Sequence, residues 1–348
     1  MAKQTAGLRP DPESECTTAP EVMVVDLTNS KGHGFRCYQY EGIYWSLWPR
    51  PIYKGKNPIE EFKRLKDCTM EEDDVIICAY PKCGTHWLWE ITEMLKSGII
   101  RNTKEVKETR MIEFIQKDGI ESLQKPKILN THLPLRMLPT QVVEKKIKCI
   151  QIIRNPKDVC VSFFHHKRDT LSSIGYDGDF LEFTEAFLSG KLPFGSYYNY
   201  LMTWQKETAR EPSLPVLTLH YEDMKLDPIK CIRDIATFLN LTVTDTFCKG
   251  IAEACSFDKM KQFDKEEKHK PFSLWKEGSA GGPSIEKVKL GTGRIGSRLQ
   301  RTRNLIIFGM PKWMALVSNS CIHYKESHLP YSSHIVAQTS YTFKNTSW

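Results

Sequence analysis

The 348-residue sequence has no run of the roughly 20 apolar residues that a membrane-spanning helix needs, so we expect no membrane helix. Its N-terminus is polar and lacks the apolar region of a signal peptide. The 11 cysteines form no C-x-x-C pair and no framework spacing, which argues against a zinc site or a disulfide scaffold. We therefore expect reduced thiols, a cytoplasmic location and no bound metal.

A strong excess of charge of one sign is also missing. The formal net charge is +7, from 49 Lys and Arg against 42 Asp and Glu, and the basic residues are spread along the chain. This balance suits a small anionic ligand but gives no argument for a nucleic-acid partner. The length fits one α/β domain with tails.

The Walker A loop, G-x-x-x-x-G-K-[ST], is absent too, which argues against a kinase or NTPase. Residues 79–87 instead read AYPKCGTHW. The apolar run 74–78 before them predicts a buried strand, and residues 87–97 predict a helix. A Pro/Lys/Gly turn in this setting can hold phosphate, because the first helical N–H groups have no intrahelical partners and the helix dipole favours an anion.

The side chains of this turn suit that task. Gly84 lets the backbone approach closely, Lys82 supplies a positive charge, and Thr85 and His86 supply hydrogen-bond donors. The alternative interpretation is an ordinary strand–helix loop that contains a lysine.

Strands and helices alternate from residue 73 onward. The predicted strands cover 75–78, 127–130, 148–153 and 216–220, and the predicted helices cover 87–97, 156–166, 183–189, 197–209 and 228–239. Such units in series imply a single α/β domain with a mostly parallel central sheet flanked by helices. Ligands of these sheets bind at the carboxyl ends of the strands.

Three further strand ends carry polar residues. The second strand leads to His132, a residue type suited to proton transfer near neutral pH, although a lone histidine after a strand is more often structural. The third leads to Arg154, whose planar fork suits phosphate oxygens or, alternatively, a carboxylate partner. The fourth leads to residues 221–228, YEDMKLDP, which on their own predict a polar turn before a helix.

These segments resemble, in order, the motifs of the cytosolic sulfotransferase family. Residues 79–87 are similar to the 5′-phosphosulfate loop YPKSGTTW, residues 131–134 (THLP) to the segment with the catalytic base, and residues 154–162 (RNPKDVCVS) to the 3′-phosphate motif. Residues 221–228 match the tyrosine motif, and residues 255–260 (CSFDKM) resemble the adenine-side segment. The resemblance spans roughly residues 51–260 and implies a P-loop-like sulfotransferase fold.

The resemblance implies transfer of a sulfuryl group from 3′-phosphoadenosine 5′-phosphosulfate (PAPS) to a hydroxyl or amine. Lys82 would stabilise charge on the departing phosphate, and His132 would act as the base. The family often has lysine two residues before this histidine, where this chain has Asn130. The residues implied in nucleotide binding are Lys82, Cys83, Gly84, Thr85, His86, Trp87, Arg154, Ser162, Tyr221, Ser256 and Phe257.

The last family motif, RKGxxGDWK, is not found, and residues 285–296 read IEKVKLGTGRIG in its place. Codons can be read as the third base of one residue plus the first two bases of the next. One permitted choice from residue 285 then spells Arg-Lys-Gly-Lys-Val-Gly-Asp-Trp-Lys, and the family's dimerisation segment follows. Our hypothesis is that the chain from near Ser284 is translated out of the ancestral frame, through an altered gene model, splicing or mutation.

The chain is expected to have three parts. Residues 1–34 predict a mobile extension, 35–284 the sulfotransferase domain, and 285–348 a divergent segment that is out of frame or disordered. We expect impaired activity and, without the dimer segment, a monomer. The alternatives are a non-catalytic nucleotide-binding or regulatory homologue, and a thiol hydrolase that uses Cys83 and His132.

The acceptor is indicated only by the composition of nearby segments. The aromatic segment 37–51 forms either a pocket wall or lid, or simple core packing. With residues 163–166 and 171–180, it suggests a small apolar phenol, alcohol, sterol or amine.

Overall fold

The computed structural model describes residues 23–46, 58–115, 117–170 and 175–266. The strands in these ranges are β1 Met23–Thr28, β2 Gly34–Tyr40, β3 Ile43–Ser46, β4 Val75–Ala79, β5 Ile128–Thr131, β6 Lys148–Ile153 and β7 Val216–His220. The α-helices are α1 Pro58–Leu65, α2 Thr85–Ser97, α3 Lys117–Glu121, α4 Gln141–Glu144, α5 Pro156–Arg168, α6 Phe180–Ser189, α7 Tyr197–Arg210, α8 Tyr221–Leu226, α9 Pro228–Phe238, α10 Asp245–Ala254 and α11 Phe257–Glu266. Short 3₁₀ helices cover Lys107–Arg110 and Leu135–Met137.

The core of the protein is a parallel sheet in the order β5-β4-β6-β7. Its central strand β4 pairs with β5 on one side and β6 on the other, and every residue of β4 is fully buried. Burial on both faces explains why β4 reads as a continuous apolar run rather than an alternating one. The predicted α/β fold with a parallel sheet flanked by helices is confirmed.

A second, antiparallel sheet in the order β1-β2-β3 corrects part of the sequence interpretation. β1 lies inside the segment 1–34 that was expected to be a mobile extension. The turn after it forms a hairpin because Asn29 Oδ1 accepts from the backbone N–H groups of Lys31 and His33. Residues 1–22 of the expected extension, and the segment 267–348, lie outside the described residues.

Residues 221–226 form a helix where a polar turn was predicted. Glu222 and Asp223 lie in its first turn, where negative charge stabilises the N-terminus of a helix. The next helix, α9, is capped by Asp227, whose side chain accepts from Lys230 N. Two short helices therefore follow β7 in succession.

The described part of the aromatic segment 37–51 packs onto the core. The Trp45 ring meets the Phe62 ring edge-on, and the Tyr44 carbonyl accepts a 2.7 Å hydrogen bond from the backbone of Phe194. That bond connects β3 to a loop that reaches the strand ends of the parallel sheet. Residues 47–51 of this segment lie outside the described ranges.

Candidate active site

The turn between β4 and α2 has a backbone shape that requires glycine at one position. Gly84 has φ 111°, and a Cβ atom there would lie 2.7 Å from Cδ2 of Tyr221. Lys82 also adopts a left-handed φ, of 68°. Two residues with positive φ, so close together, turn the chain sharply into the start of α2.

Two buried polar atoms beside this turn have no hydrogen-bond partner within the described ranges: Thr85 Oγ1 and Arg154 Nε. Thr85 is the first residue of α2. The N-cap residue of that helix is Gly84, which has no side chain to accept from the first N–H groups. Buried polar groups are as a rule paired, so such atoms at a helix N-terminus indicate a binding site for an anion.

Arg154 connects the turn to the end of β6. Its Nη1 donates to the backbone carbonyl of Lys82 at 2.9 Å, and its guanidinium lies 4.2 Å from the centre of the Tyr221 ring. The Tyr197 hydroxyl accepts from Arg154 N and donates to Arg154 O, which fixes the backbone at this point. The predicted alternative was an Arg–carboxylate pair. Within the described ranges, Arg154 forms no ion pair with a carboxylate.

Tyr221 lies between Arg154 and Trp87. The Trp87 and Tyr221 rings meet edge-on at 5.6 Å, and the Lys225 ammonium lies 5.7 Å from the Trp87 ring. Three residues predicted from separate motifs therefore lie side by side, as an aromatic and cationic surface next to the turn.

A hydrogen bond also joins the third and fourth motifs. Asn155 caps α5 by accepting from Lys157 N, while its own backbone N–H donates to Glu222 Oε1 at 2.8 Å. Ser162 lies two turns further along α5 and is buried. Its role toward a phosphate stays a prediction.

His132 follows β5 and is held by the end of β4. Its Nδ1 lies 2.6 Å from the carbonyl oxygen of Ala79, which can only accept, so Nδ1 carries the hydrogen and Nε2 keeps its lone pair. Burial, the charge of Lys107 and, less strongly, that of Lys82 lower the pKa of His132 to about 3. The imidazole is therefore neutral near pH 7, with Nε2 as a proton acceptor.

Glu113 and Phe194 support this histidine and were not found by sequence reasoning. Glu113 Oε1 accepts from the backbone N–H of His132 at 2.8 Å, and burial raises the pKa of this carboxyl to about 7. The Phe194 ring meets the imidazole edge-on at 5.1 Å. Neither residue belongs to a recognised motif, so only the folded structure brings them to His132.

The Cys83 thiol is fully buried, and burial raises its pKa to about 12, an effect that Arg154 and Tyr197 only partly offset. A nucleophilic cysteine needs a lowered pKa and access to substrate. The geometry therefore argues against the thiol hydrolase alternative. A contact of Cys83 with the nucleotide stays a prediction.

His86 faces two carboxylates. Its Nε2 lies 3.5 Å from Glu90 Oε1, and its Nδ1 lies 3.6 Å from Asp264 Oδ2. In this arrangement the imidazole bridges α2 and α11. The role predicted for His86, donating a hydrogen bond to a phosphate, stays a prediction. Its contacts with the two carboxylates do not favour that role.

The remaining predicted residues, Ser256 and Phe257, are half-buried at the start of α11, and their place beside an adenine stays a prediction. Among the described residues, no cluster of three or more His, Cys, Asp or Glu side chains is suited to hold a metal ion. In the same part of the chain, no helix is long and apolar enough to span a bilayer.

The sequence also matches a known protein family. The family model for the sulfotransferase domain matches residues 72–284 of this chain. Sulfotransferase 1B1 of Mus musculus is 35% identical over 213 residues, which cover 58% of this chain and 70% of that protein.

Two solved structures have a fold similar to that of this chain. Mouse sulfotransferase SULT7A1, solved as a complex with PAP, is 33% identical with a TM-score of 0.53, over 65% of this chain and 76% of that chain. Retinol dehydratase, solved with androsterone and the inactive cofactor PAP, has a TM-score of 0.57 over 86% of this chain and 92% of its own. Its 17% identity supports the fold alone. By its sulfotransferase domain, which takes up more than half of its length, the chain belongs to the sulfotransferase family and is a sulfotransferase enzyme.

Proposed function

We propose that this chain transfers a sulfuryl group from PAPS to a hydroxyl or amine of a small apolar acceptor. The products would be a sulfate ester or sulfamate and adenosine 3′,5′-bisphosphate (PAP). One observation carries the proposal: the end of β4 provides both the glycine turn and the carbonyl of Ala79, to which His132 is hydrogen-bonded. A candidate anion site and a candidate base thus share one strand end.

The residues at the turn fit the donor. Thr85 Oγ1 and Arg154 Nε are buried polar atoms with no partner in the described ranges, and both suit phosphate oxygens. Lys82, Arg154 and the N-terminus of α2 would hold the nucleotide, with Tyr221 and Trp87 beside it. When bound, PAPS supplies the sulfuryl group and a phosphate leaving group.

The protein's own groups divide the remaining work. His132 would take the proton of the acceptor hydroxyl at Nε2, because Nδ1 is committed to Ala79. Lys82 would balance the negative charge that develops on the leaving phosphate. The Phe194 ring beside His132 gives the acceptor an apolar wall, which supports a phenol, sterol or other apolar alcohol or amine.

The C-terminal segment limits this activity in our proposal. The family match ends at residue 284, next to the position where the frame hypothesis places the change of reading frame. Two lost cationic contacts to the 3′-phosphate, at roughly 1.5–3 kcal/mol each, would weaken PAPS binding by several kcal/mol. We further propose that this form is a cytoplasmic monomer.

A non-catalytic nucleotide-binding homologue is the second candidate. It is favoured by the neutral Asn130 two residues before His132 and by the divergent segment after residue 284. In that case the site would retain the nucleotide without turning it over.

One preparation of the full chain separates the two candidates. Calorimetric titration measures PAP and PAPS binding, and a turnover assay with labelled PAPS and a phenol measures transfer. Binding with product formation supports the enzyme, whereas binding without product supports the second candidate. If neither nucleotide binds at millimolar concentration, both are wrong.

A further inference from the structure

The segment 107–113 lies alongside the strand that leads to His132. Met111 forms a parallel bridge with Asn130, and the backbone N–H of Ile112 donates to the carbonyl of Asn130 at 2.9 Å. The next residue, Glu113, accepts from the backbone of His132. Three successive residues thus fix this segment against the end of β5.

Lys107, at the start of this segment, extends along it toward the β5 contact. Its Nζ lies 3.5 Å from Sδ of Met111, the residue paired with Asn130, and 2.9 Å from Glu108 Oε1. The side chain is only 18% exposed. A half-buried ammonium is therefore held beside the strand that carries the candidate base.

The charge of Lys107 also affects the pKa of His132. It lowers the pKa of His132 more strongly than the charge of Lys82 does, and it also acts on Glu113 and His166. This effect stands beside the contacts of the segment: Lys107 Nζ touches Met111, Met111 is bridged to Asn130, and Asn130 is two residues before His132. Glu108 offsets part of the effect on His132.

Asn130 supplies no such charge. It is fully buried, and its side-chain oxygen and nitrogen have no hydrogen-bond partner among the residues that the structure describes. The end of β5 therefore presents a neutral amide beside His132, and the nearby cationic groups come from other segments.

We propose that Lys107 is a second cation of the sulfuryl-transfer site, beside Lys82, and that it binds the anionic sulfuryl group of the donor. The inference rests on the proposed function and names a residue that the sequence motifs do not contain. Glu108 holds the ammonium in place before binding and competes with the sulfuryl group for it. Lys107 is thus a specificity residue for PAPS over PAP, which lacks the sulfuryl group.

The test compares the affinities of PAPS and PAP, measured by calorimetry on the full chain without acceptor. In Lys107→Met, PAPS should bind about tenfold more weakly relative to PAP, the loss expected for a hydrogen bond to a charged group. Glu108→Gln removes the competing carboxylate, so the affinity for PAPS relative to that for PAP should increase. Lys230→Met is the matched control, since it breaks an exposed lysine–carboxylate pair with Asp234 on α9.

Using the ratio keeps the inference separate from the proposed function. If wild-type protein binds both nucleotides and Lys107→Met leaves their ratio unchanged, the inference is wrong and the proposed function stands. If wild-type protein binds neither nucleotide, both fail. Lys107→Gln, which keeps a polar side chain, repeats the test if the methionine variant does not fold.

Discussion

Arg154 donates a hydrogen bond from Nη1 to the backbone carbonyl of Lys82 at 2.9 Å. The two residues are 72 positions apart in the sequence and lie at the ends of neighbouring strands, β6 and β4. The same guanidinium lies over the ring of Tyr221, from a third strand end. One side chain therefore fixes the relative positions of three segments that we propose bind the nucleotide.

Replacing Arg154 with Met should weaken PAP binding roughly 10- to 100-fold, because at least one hydrogen bond from a charged group is lost. Calorimetry measures the affinity, and thermal unfolding shows whether the fold is retained. Arg233→Met serves as control, since Arg233 is half-exposed and paired with Asp245. Equal PAP affinity in Arg154→Met and wild type would contradict a role in nucleotide binding.

Gly84→Ala should reduce the free energy of unfolding by about 2–4 kcal/mol, since φ is positive and the added methyl overlaps Tyr221. Gly98→Ala provides the comparison: Gly98 also has positive φ, at 70°, but no atom lies within 4 Å of the added Cβ. It should lose only about 1 kcal/mol. Urea unfolding of both variants checks the difference, and equal losses would show that the overlap with Tyr221 is unimportant.

His132→Asn should lower kcat about 10²- to 10⁴-fold, while PAP affinity stays within about twofold. The asparagine amide can still donate to the Ala79 carbonyl, so the variant removes the base at Nε2 and keeps the anchoring bond. Steady-state kinetics with parallel PAP titration gives both quantities. A variant that retains most of its kcat would exclude His132 as the base.

Glu113→Gln should change how stability depends on pH. The pKa of Glu113 is raised from 4.5 to about 7, so the folded state holds this proton more tightly than the unfolded chain does. As pH rises from 4.5 to 7, wild-type protein loses up to about 3 kcal/mol that the neutral glutamine does not lose.

Urea unfolding at pH 5 and at pH 7.5 measures this difference. The control is Glu144→Gln, which removes a carboxylate from an exposed position and leaves Glu113 in place. If the free energy of unfolding of Glu113→Gln changed between the two pH values as much as that of the wild type, Glu113 would titrate normally in the folded protein.

The sequence predicted the parallel sheet well because its signals are local. Strands such as Lys148–Ile153 and Val216–His220 were predicted with their observed bounds, since each is a short apolar run beside a helix signal. The hairpin of β1 and β2 was missed because Met23–Thr28 lies next to a polar region and its pairing depends on residues further along.

The site residues show the same difference between local motifs, which the sequence reveals, and long-range packing, which it does not. Lys82, Arg154 and Tyr221 lie in motifs and were predicted to act together, and their contacts bring them together. Glu113 and Lys107 were missed because neither lies at a predicted strand end. Only the packing of residues 107–113 against β5 brings Glu113 to His132 and Lys107 to Met111, the residue bridged to Asn130.

The most direct test of the account is transfer of label from PAPS to a panel of phenols and sterols. The assay compares this chain with a version whose C-terminus is restored by the shift of reading frame. We predict transfer by the restored chain, weaker transfer by this one, and a rate at least about 100-fold lower in a restored chain carrying His132→Asn. The account would be contradicted if the restored chain bound PAP but transferred label to no acceptor, or transferred it equally well without His132.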